Sequence, residues 1–236
     1  MPVIGLSVRS ARINGMYRDQ AGHTPTVSRA VVRSVAYDSA IAEVVRHLCV
    51  DVGVGLHAVD EVIVGASHAS LQPSRLRRRT PAGPYWRDIL TTALEFRLGT
   101  RVTVHSAIEL AARAELCRGA GSASTSFVLI QAGPETEVGL IVDGTLRAAT
   151  FHDARPVTGA LPGRLARAIL PLLRTARPDL IVVGGTSPGR GGSALCAALR
   201  LALFTEGVRP PRIVPTGIAG DAVLVGAHAA AYAGRK

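Results

Sequence analysis

The chain has 236 residues, of which 47% are hydrophobic and 19% are charged. This length suits one large α/β domain or two subdomains of about 100–130 residues each. No apolar run reaches the roughly 18–20 residues that span a bilayer, and the first residues lack a basic signal-peptide segment, so we expect a cytoplasmic protein. Three cysteines, Cys49, Cys117 and Cys196, are too few and too far apart for a disulfide framework or a CxxC metal site.

The formal net charge is +10, which in general suggests an anionic partner such as a nucleic acid or a membrane surface. Lys236 is the only lysine, however, so 26 of the 27 basic residues are arginines. A GC-rich genome produces such a bias through its codons. The charge therefore leaves nucleic-acid binding open without favouring it.

The first half of the chain predicts an antiparallel meander followed by alternating helices and strands. Apolar residues at Ile41, Val44, Val45 and Leu48 have the spacing of a helix. The predicted elements are strands at 3–8, 11–16 and 30–35, a helix at 39–50, a strand at 59–64, a helix at 86–98, a strand at 102–104, and a helix at 106–117 with Ser106 as its N-cap.

Residues 118–124 are rich in Gly, Ala and Ser, which predicts a boundary between subdomains at 1–118 and 119–236. The same order of elements then begins again. Asp143-Gly144 is a strong hairpin signal, and Pro171 is expected to kink the fourth helix or end it early. The predicted elements are strands at 126–131, 137–142 and 145–150, a helix at 161–174, a strand at 180–183, a helix at 193–204, a strand at 212–214 and a helix at 221–232.

An apolar run ends in Gly184-Gly185-Thr186, and a Gly/Ala-rich helix closes the chain. This resembles the nucleotide-binding half of ROK (repressor, open reading frame, kinase) sugar kinases in the actin-like ATPase superfamily. The resemblance implies an α/β class: a duplicated actin-like (ribonuclease H-like) ATPase fold with two subdomains, each a mixed five-stranded sheet flanked by helices. It further implies ATP with Mg²⁺ as the cofactor and a ligand in the cleft between the subdomains.

The residues that the family uses for catalysis are replaced in this chain. Ser7 stands where the family has a metal-orienting Asp, and a serine hydroxyl cannot supply the anionic charge that Mg²⁺ favours. Arg9 and Ser10 replace a phosphate-approaching glycine pair. Ala107 stands at the position of the catalytic base and cannot accept a proton. His105 or Glu109 could act instead only in a shifted register. We therefore predict no catalytic residue and no metal ligand.

The second phosphate loop of the family aligns with residues 133–139, where Gly133 remains but Glu135 and Glu137 appear. These carboxylates would either repel a polyphosphate or face solvent at a strand edge. The resemblance implies that Gly133, Gly184, Gly185 and Thr186 bind the cofactor. The alternative is that the glycine pair serves only packing.

The family's zinc cluster has no counterpart, and only the His152-Asp153 pair, in a predicted loop, could be a remnant of a sugar-binding corner. Arginines and two aromatics between Arg75 and Arg87 form either a phosphate or nucleic-acid site or a solvated loop.

Three functions follow as hypotheses. The first is a non-catalytic ROK-like domain acting as a sensor, scaffold or regulator, with residual nucleotide or sugar binding and a protein partner or homodimer. The second is a divergent sugar kinase or ATPase that uses acids elsewhere, namely Asp60, Asp143, Asp153 or Asp221. The third is phosphate or nucleic-acid binding through the stretch from Arg75 to Arg87.

Overall fold

A computed structural model describes residues 2–9, 12–19, 25–30, 36–67, 86–133, 136–153, 161–185 and 192–233, with the backbone alone at 30 and 148–153. The chain divides into two compact units, one made of Met1–Leu110 with Val223–Lys236 and the other of Ala111–Ala222. None of the described helices combines the length and the apolar character needed to cross a membrane.

The first unit is built on a five-stranded mixed sheet in the order β3-β2-β1-β4-β5. The β1, β2 and β3 strands pair antiparallel, whereas β1, β4 and β5 run parallel. Buried aliphatic side chains from the sheet pack against α1 and α2. The elements are β1 (Val3–Arg9), β2 (Arg12–Arg18), β3 (Thr26–Ala30), α1 (Tyr37–Val52), a 3₁₀ turn (Leu56–Ala58), β4 (Glu61–Ala66), α2 (Trp86–Leu98), β5 (Val102–Ser106) and α3 (Ala107–Arg118).

The second unit repeats this plan with a sheet in the order β8-β7-β6-β9-β10. Again the first three strands pair antiparallel and the remaining two run parallel to the first. The predicted duplication of a meander and two crossover strands is therefore confirmed. The elements are β6 (Ser126–Ala132), β7 (Thr136–Val142), β8 (Thr145–Asp153), α4 (Leu161–Ala176), β9 (Leu180–Gly185), α5 (Ser193–Thr205), β10 (Arg212–Pro215) and α6 (Ala222–Ala233).

Helix α6 follows the second sheet in sequence but, from Val223 onward, lies in the first unit. It approaches the first unit at positions without side chains. A Cβ on Gly226 would overlap the Leu110 backbone carbonyl, and one on Gly5 would lie 3.0 Å from the Cβ of Ala227. The predicted subdomain 119–236 included this helix, and the structure groups it differently because its packing partners are β1 and α3.

The Asp143-Gly144 turn joins β7 to β8, as predicted, with φ values of 51° and 71°. Positive φ at both central residues is the conformation that two-residue hairpins require. The strain is small because Asp tolerates the left-handed region better than most residues do.

Two predicted elements differ from the structure. The third strand observed is Thr26–Ala30, whose backbone pairs with β2 from Arg12↔Ala30 to Met16↔Thr26. The strand predicted at 30–35 shares only Ala30 with it, and residues 31–35 lie outside the described residues. The prediction followed an apolar run, whereas this edge strand is polar and largely exposed. Helix α4 also continues past Pro171 to Ala176, so the prediction that Pro171 ends this helix early was wrong.

The close approach of α6 predicts a large difference between two helical glycines. Gly226→Ala should lower the free energy of unfolding by about 1–3 kcal/mol, because the added methyl meets the rigid backbone of Leu110. Gly163→Ala is the matched control, since a Cβ at that position in α4 has nothing within 4 Å. Alanine should stabilise α4 there by about 0.5–1 kcal/mol. Urea unfolding followed by circular dichroism measures both, and equal effects would contradict this packing.

His228 of α6 is a buried titratable group in the first unit. Its Nδ1–H donates a hydrogen bond of 2.8 Å to the Leu224 carbonyl oxygen. Burial lowers the pKa of His228 below the ordinary histidine value; the bond to Leu224 opposes this, and the charge of Arg18 adds to it. The folded protein therefore resists protonation of this imidazole.

This lowered pKa predicts acid destabilisation. The unfolded chain takes up a proton below about pH 6.5 while folded His228 does not, so stability should fall by up to about 1.4 kcal/mol per pH unit below that point. The fall should end at the folded pKa. His228→Gln should reduce this loss between pH 7.5 and 5.5, and His57→Gln, at an exposed site, should not. Equal slopes for the wild type and His228→Gln in unfolding titrations would contradict the assignment.

Candidate functional site

A small recess lies at the carboxyl ends of three neighbouring parallel strands in the second unit. The β10, β9 and β6 strands are adjacent and parallel, so their carboxyl ends share one edge of the sheet. In open α/β sheets, ligands bind at such edges. The recess has about 250 Å³ of empty space, including its open mouth. Its described lining residues are Gln131, Gly184, Gly185, Thr216, Ile218, Gly220, Asp221 and Ala222.

A buried carboxylate fixes one wall of this recess. Glu115 of α3 is fully buried, and its Oε2 accepts a hydrogen bond of 2.8 Å from the Ala120 backbone N–H. Its Oε1 accepts a hydrogen bond from the Thr216 hydroxyl. The Thr216 oxygen in turn accepts a bond of 3.0 Å from the Ile218 backbone N–H. The segment after β10 is thereby held rigidly. No motif in the sequence indicated this link, because the two side chains are far apart along the chain.

Gln131 forms the floor of the recess and has an unused donor. The residue is 5% exposed, and its Nε2 has no hydrogen-bond partner. A Cβ on Gly184 would lie 2.7 Å from this nitrogen, and a Cβ on Gly185 would overlap the Ala132 carbonyl. The packing interpretation of the glycine pair thus has a physical basis. Sequence analysis missed Gln131, although one amide at the end of the apolar strand β6 is a visible signal.

Strand β7 brings a second buried polar side chain, Glu137, to the same region. Glu137 pairs directly with Gln131 across β6 and β7 and is only 1% exposed. The interpretation that Glu137 faces solvent is therefore wrong; pairing across the sheet turns it inward. Glu135 lies outside the described residues. The backbone carbonyl of Gly133 accepts a hydrogen bond of 3.2 Å from the hydroxyl of Thr136, the first residue of β7.

The first unit buries both Ser7 and Ala107. Ser7 is 1% exposed in β1, pairs with Asn14 and Gly65 on the neighbouring strands, and its hydroxyl has no hydrogen-bond partner. Ala107 is the first residue of α3 and is buried. Both positions therefore carry neutral side chains within the core.

His105, Glu109 and Arg87 form a small charged cluster at the start of α3. The Nδ1 of His105 lies 3.0 Å from Oε1 of Glu109, and Arg87 lies 3.6 Å from the other carboxylate oxygen. The Glu109 backbone N–H donates to the Ser106 hydroxyl at 3.3 Å, which confirms Ser106 as the N-cap. Glu three residues after the capping Ser is the pattern of a capping box. The cluster thus stabilises the helix start.

The remaining candidates are spread over both units. Asp60 is exposed before β4, Asp143 lies in the hairpin turn, and Asp221 lines the recess. His152 and Asp153 were predicted to lie in a loop. They instead form the end of strand β8, where they pair with Glu137 and Thr136 of β7. Thr186 and residues 75–85 lie outside the described residues. Among the described side chains, no group of three or more His, Cys, Asp or Glu residues is placed to hold a metal ion.

No protein-family model matches the sequence, and a search of curated proteins gives no match. Solved structures do match over nearly the whole chain. A ROK hexokinase from Thermus thermophilus shares 19% identity, covers 96% of each chain and gives a TM-score of 0.63. A ROK-family glucokinase from Streptomyces griseus, solved with glucose and AMPPNP, shares 18% identity over 96% of this chain and 98% of that one, with a TM-score of 0.61.

A ROK-family transcriptional regulator, a homologue of the E. coli MLC protein, gives a TM-score of 0.66 at 11% identity. That match covers 97% of this chain and 77% of the regulator. The two repeated sheets and these matches agree, and at such identities they establish the fold. The chain has the duplicated actin-like ATPase fold in the form found in ROK sugar kinases and regulators.

Proposed function

We propose that this chain is a non-catalytic ROK-like domain that binds a small ligand and acts as a sensor, scaffold or regulator. The observation that carries the proposal is the chemistry of the recess in the second unit. An amide, a carboxylate, a hydroxyl and backbone groups line it, and the described lining contains no basic residue. The described lining therefore offers no lysine or arginine to pair with the phosphates of ATP, and it places a carboxylate there.

The polar groups of the recess favour a neutral, hydroxyl-bearing ligand such as a nucleoside or a sugar. Gln131 brings an amide to the lining of the recess, and an amide both donates hydrogen bonds to and accepts them from ligand hydroxyls. Asp221 offers acceptor oxygens to ligand hydroxyls. Glu137 is buried next to Gln131 across the sheet, so the floor of the recess is polar.

The side chains that stand at the catalytic positions of ROK sugar kinases support the absence of phosphoryl transfer. Ser7 and Ala107 are both neutral and buried, so neither orients a hydrated cation nor removes a proton from a hydroxyl. Gln131, Gly184, Gly185 and Asp221 are then the proposed ligand-binding residues, with Gly133 close to them at the end of β6.

Calorimetric titration with nucleotides tests the proposal. ATP should bind weakly, with a dissociation constant on the order of 1 mM, and Mg²⁺ should not change it. Adenosine should bind at least as tightly, because no lysine or arginine of the described lining pairs with the phosphates of ATP. No sugar should stimulate ADP release in a coupled assay. Micromolar, Mg²⁺-dependent ATP binding together with sugar-dependent ADP release would instead establish the divergent kinase.

The role of Gln131 gives a second test. Gln131→Leu keeps most of the side-chain volume but removes the amide donor, so adenosine affinity should fall about tenfold. The free energy of unfolding should stay equal or rise, because a buried N–H without a partner is removed. Loss of stability without loss of affinity would show that Gln131 serves packing alone.

A further inference from the structure

One short segment supplies most of the recess in the second unit. Five of the eight described lining residues belong to the stretch 216–222, which follows β10. Gly217 and Gly220 lie within this stretch, and Gly220 has a φ of 85°. Glycine widens the range of backbone conformations that a segment can adopt. A ligand must bear the entropic cost of ordering such a segment unless other contacts have already ordered it.

Thr216 is held on two sides at the start of this segment. Its backbone N–H donates a hydrogen bond of 2.9 Å to the Val183 carbonyl oxygen on β9. Its hydroxyl donates to Oε1 of Glu115, and its oxygen accepts the bond of 3.0 Å from the Ile218 backbone N–H. The bond to Val183 fixes Thr216 alone. The direction of the residues that follow depends on the side-chain bonds, which lead back to buried Glu115.

The surroundings of Glu115 are closely fitted to its carboxylate. A Cβ on Gly119 would overlap Oε2 of Glu115, and a Cβ on Gly217 would lie 2.9 Å from the Ala120 backbone nitrogen. The turn after α3 and the segment after β10 therefore approach each other backbone to backbone. One carboxylate oxygen accepts a bond from each of them, so Glu115 joins the two segments.

The bond to Glu115 also determines what Thr216 offers to a ligand. A hydroxyl has one hydrogen to donate and two lone pairs that accept. The hydrogen of Thr216 is given to Glu115, and one lone pair accepts the Ile218 N–H. The remaining lone pair can only accept, and a bond to a carboxylate strengthens a hydroxyl as an acceptor. Thr216 and Asp221 thus both favour ligand hydroxyl or amino groups.

We infer that Glu115 is a positioning residue for the recess, which sets ligand affinity through Thr216 although it does not line the recess itself. It orders the segment from Thr216 to Asp221 before a ligand arrives and keeps the Thr216 hydroxyl as an acceptor. This inference rests on the proposed function, since it concerns ligand binding at the same recess. It adds a residue that acts from beneath the site, on a different element of the second unit.

Calorimetric titration with adenosine tests this role. Glu115→Gln keeps the shape of the side chain but leaves one acceptor oxygen for two donors, so adenosine affinity should fall about tenfold. Glu61→Gln is the matched control. Glu61 is likewise buried and accepts a hydrogen bond of 2.6 Å from the Thr103 hydroxyl, but it lies in the first unit. Its replacement should leave affinity unchanged, and equal losses in the two variants would overturn the proposal.

Variants of Thr216 test whether Glu115 acts through this residue. Thr216→Val removes the hydroxyl and should lower adenosine affinity, whereas Thr216→Ser keeps it and should remain within about twofold of the wild type. In the Thr216→Val background, Glu115→Gln should cause no further loss. The same loss in both backgrounds would contradict the proposal. Circular dichroism confirms that each variant is folded, and the Val and Ser variants decide the matter if Glu115→Gln does not fold.

Amide hydrogen exchange without ligand separates this role from the proposed function. The Ile218 amide should exchange about tenfold faster in Glu115→Gln than in the wild type, while the amides of β6 keep their rates. Glu61→Gln should change neither. Unchanged exchange at Ile218 overturns the proposal, as does an equal increase throughout the second unit. A wild type that binds no adenosine contradicts the proposed function, and exchange at Ile218 then still decides whether Glu115 orders the segment.

Discussion

The close packing of α6 onto the first sheet is the constraint on which the arrangement of the first unit depends. Three glycines, Gly5 in β1, Gly65 in β4 and Gly226 in α6, remove the side chains that would keep these elements apart. The helix backbone therefore reaches the Leu110 carbonyl, and Val223 packs over Gly65. Buried His228 lies directly above Gly5, so the cost of protonating it comes from the same close approach. The last helix of the chain completes the unit that the first strand begins.

A comparable constraint in the second unit is electrostatic. The carboxylate of Glu115 is fully buried and satisfied by Ala120 and Thr216, so the segment after β10 has little freedom. A buried carboxylate is tolerated only when donors surround it in this way. This fixed segment, the end of β6 and the end of β9 border the recess at the sheet edge, where the amide of Gln131 and the carboxylate of Asp221 lie. The fold is shared with sugar kinases, and the proposal for this chain depends on the side chains at this edge.

Sequence patterns predicted the fold well wherever local and tertiary preferences agree. Buried strands such as β1 and β9 are mainly apolar, and the Asp143-Gly144 turn adopts the conformation that its residues prefer. The errors fall where the two preferences differ. The β3 strand is polar because it lies at an exposed sheet edge, and α4 continues past Pro171 because its buried face of leucines holds it to the sheet.

The sequence by itself determined the order of the elements, the duplication of the plan and the identity of the neutral residues Ser7 and Ala107, because periodicity and residue type are local properties. Only the tertiary structure decided that α6 belongs with the first unit, that Glu137 is buried and that Gln131 has a donor without a partner. Each of these depends on residues that strand pairing or helix packing brings together. The pairings of Gln131 with Glu137 and with Gly184, for example, join three strands into one sheet edge whose chemistry no single stretch of sequence contains.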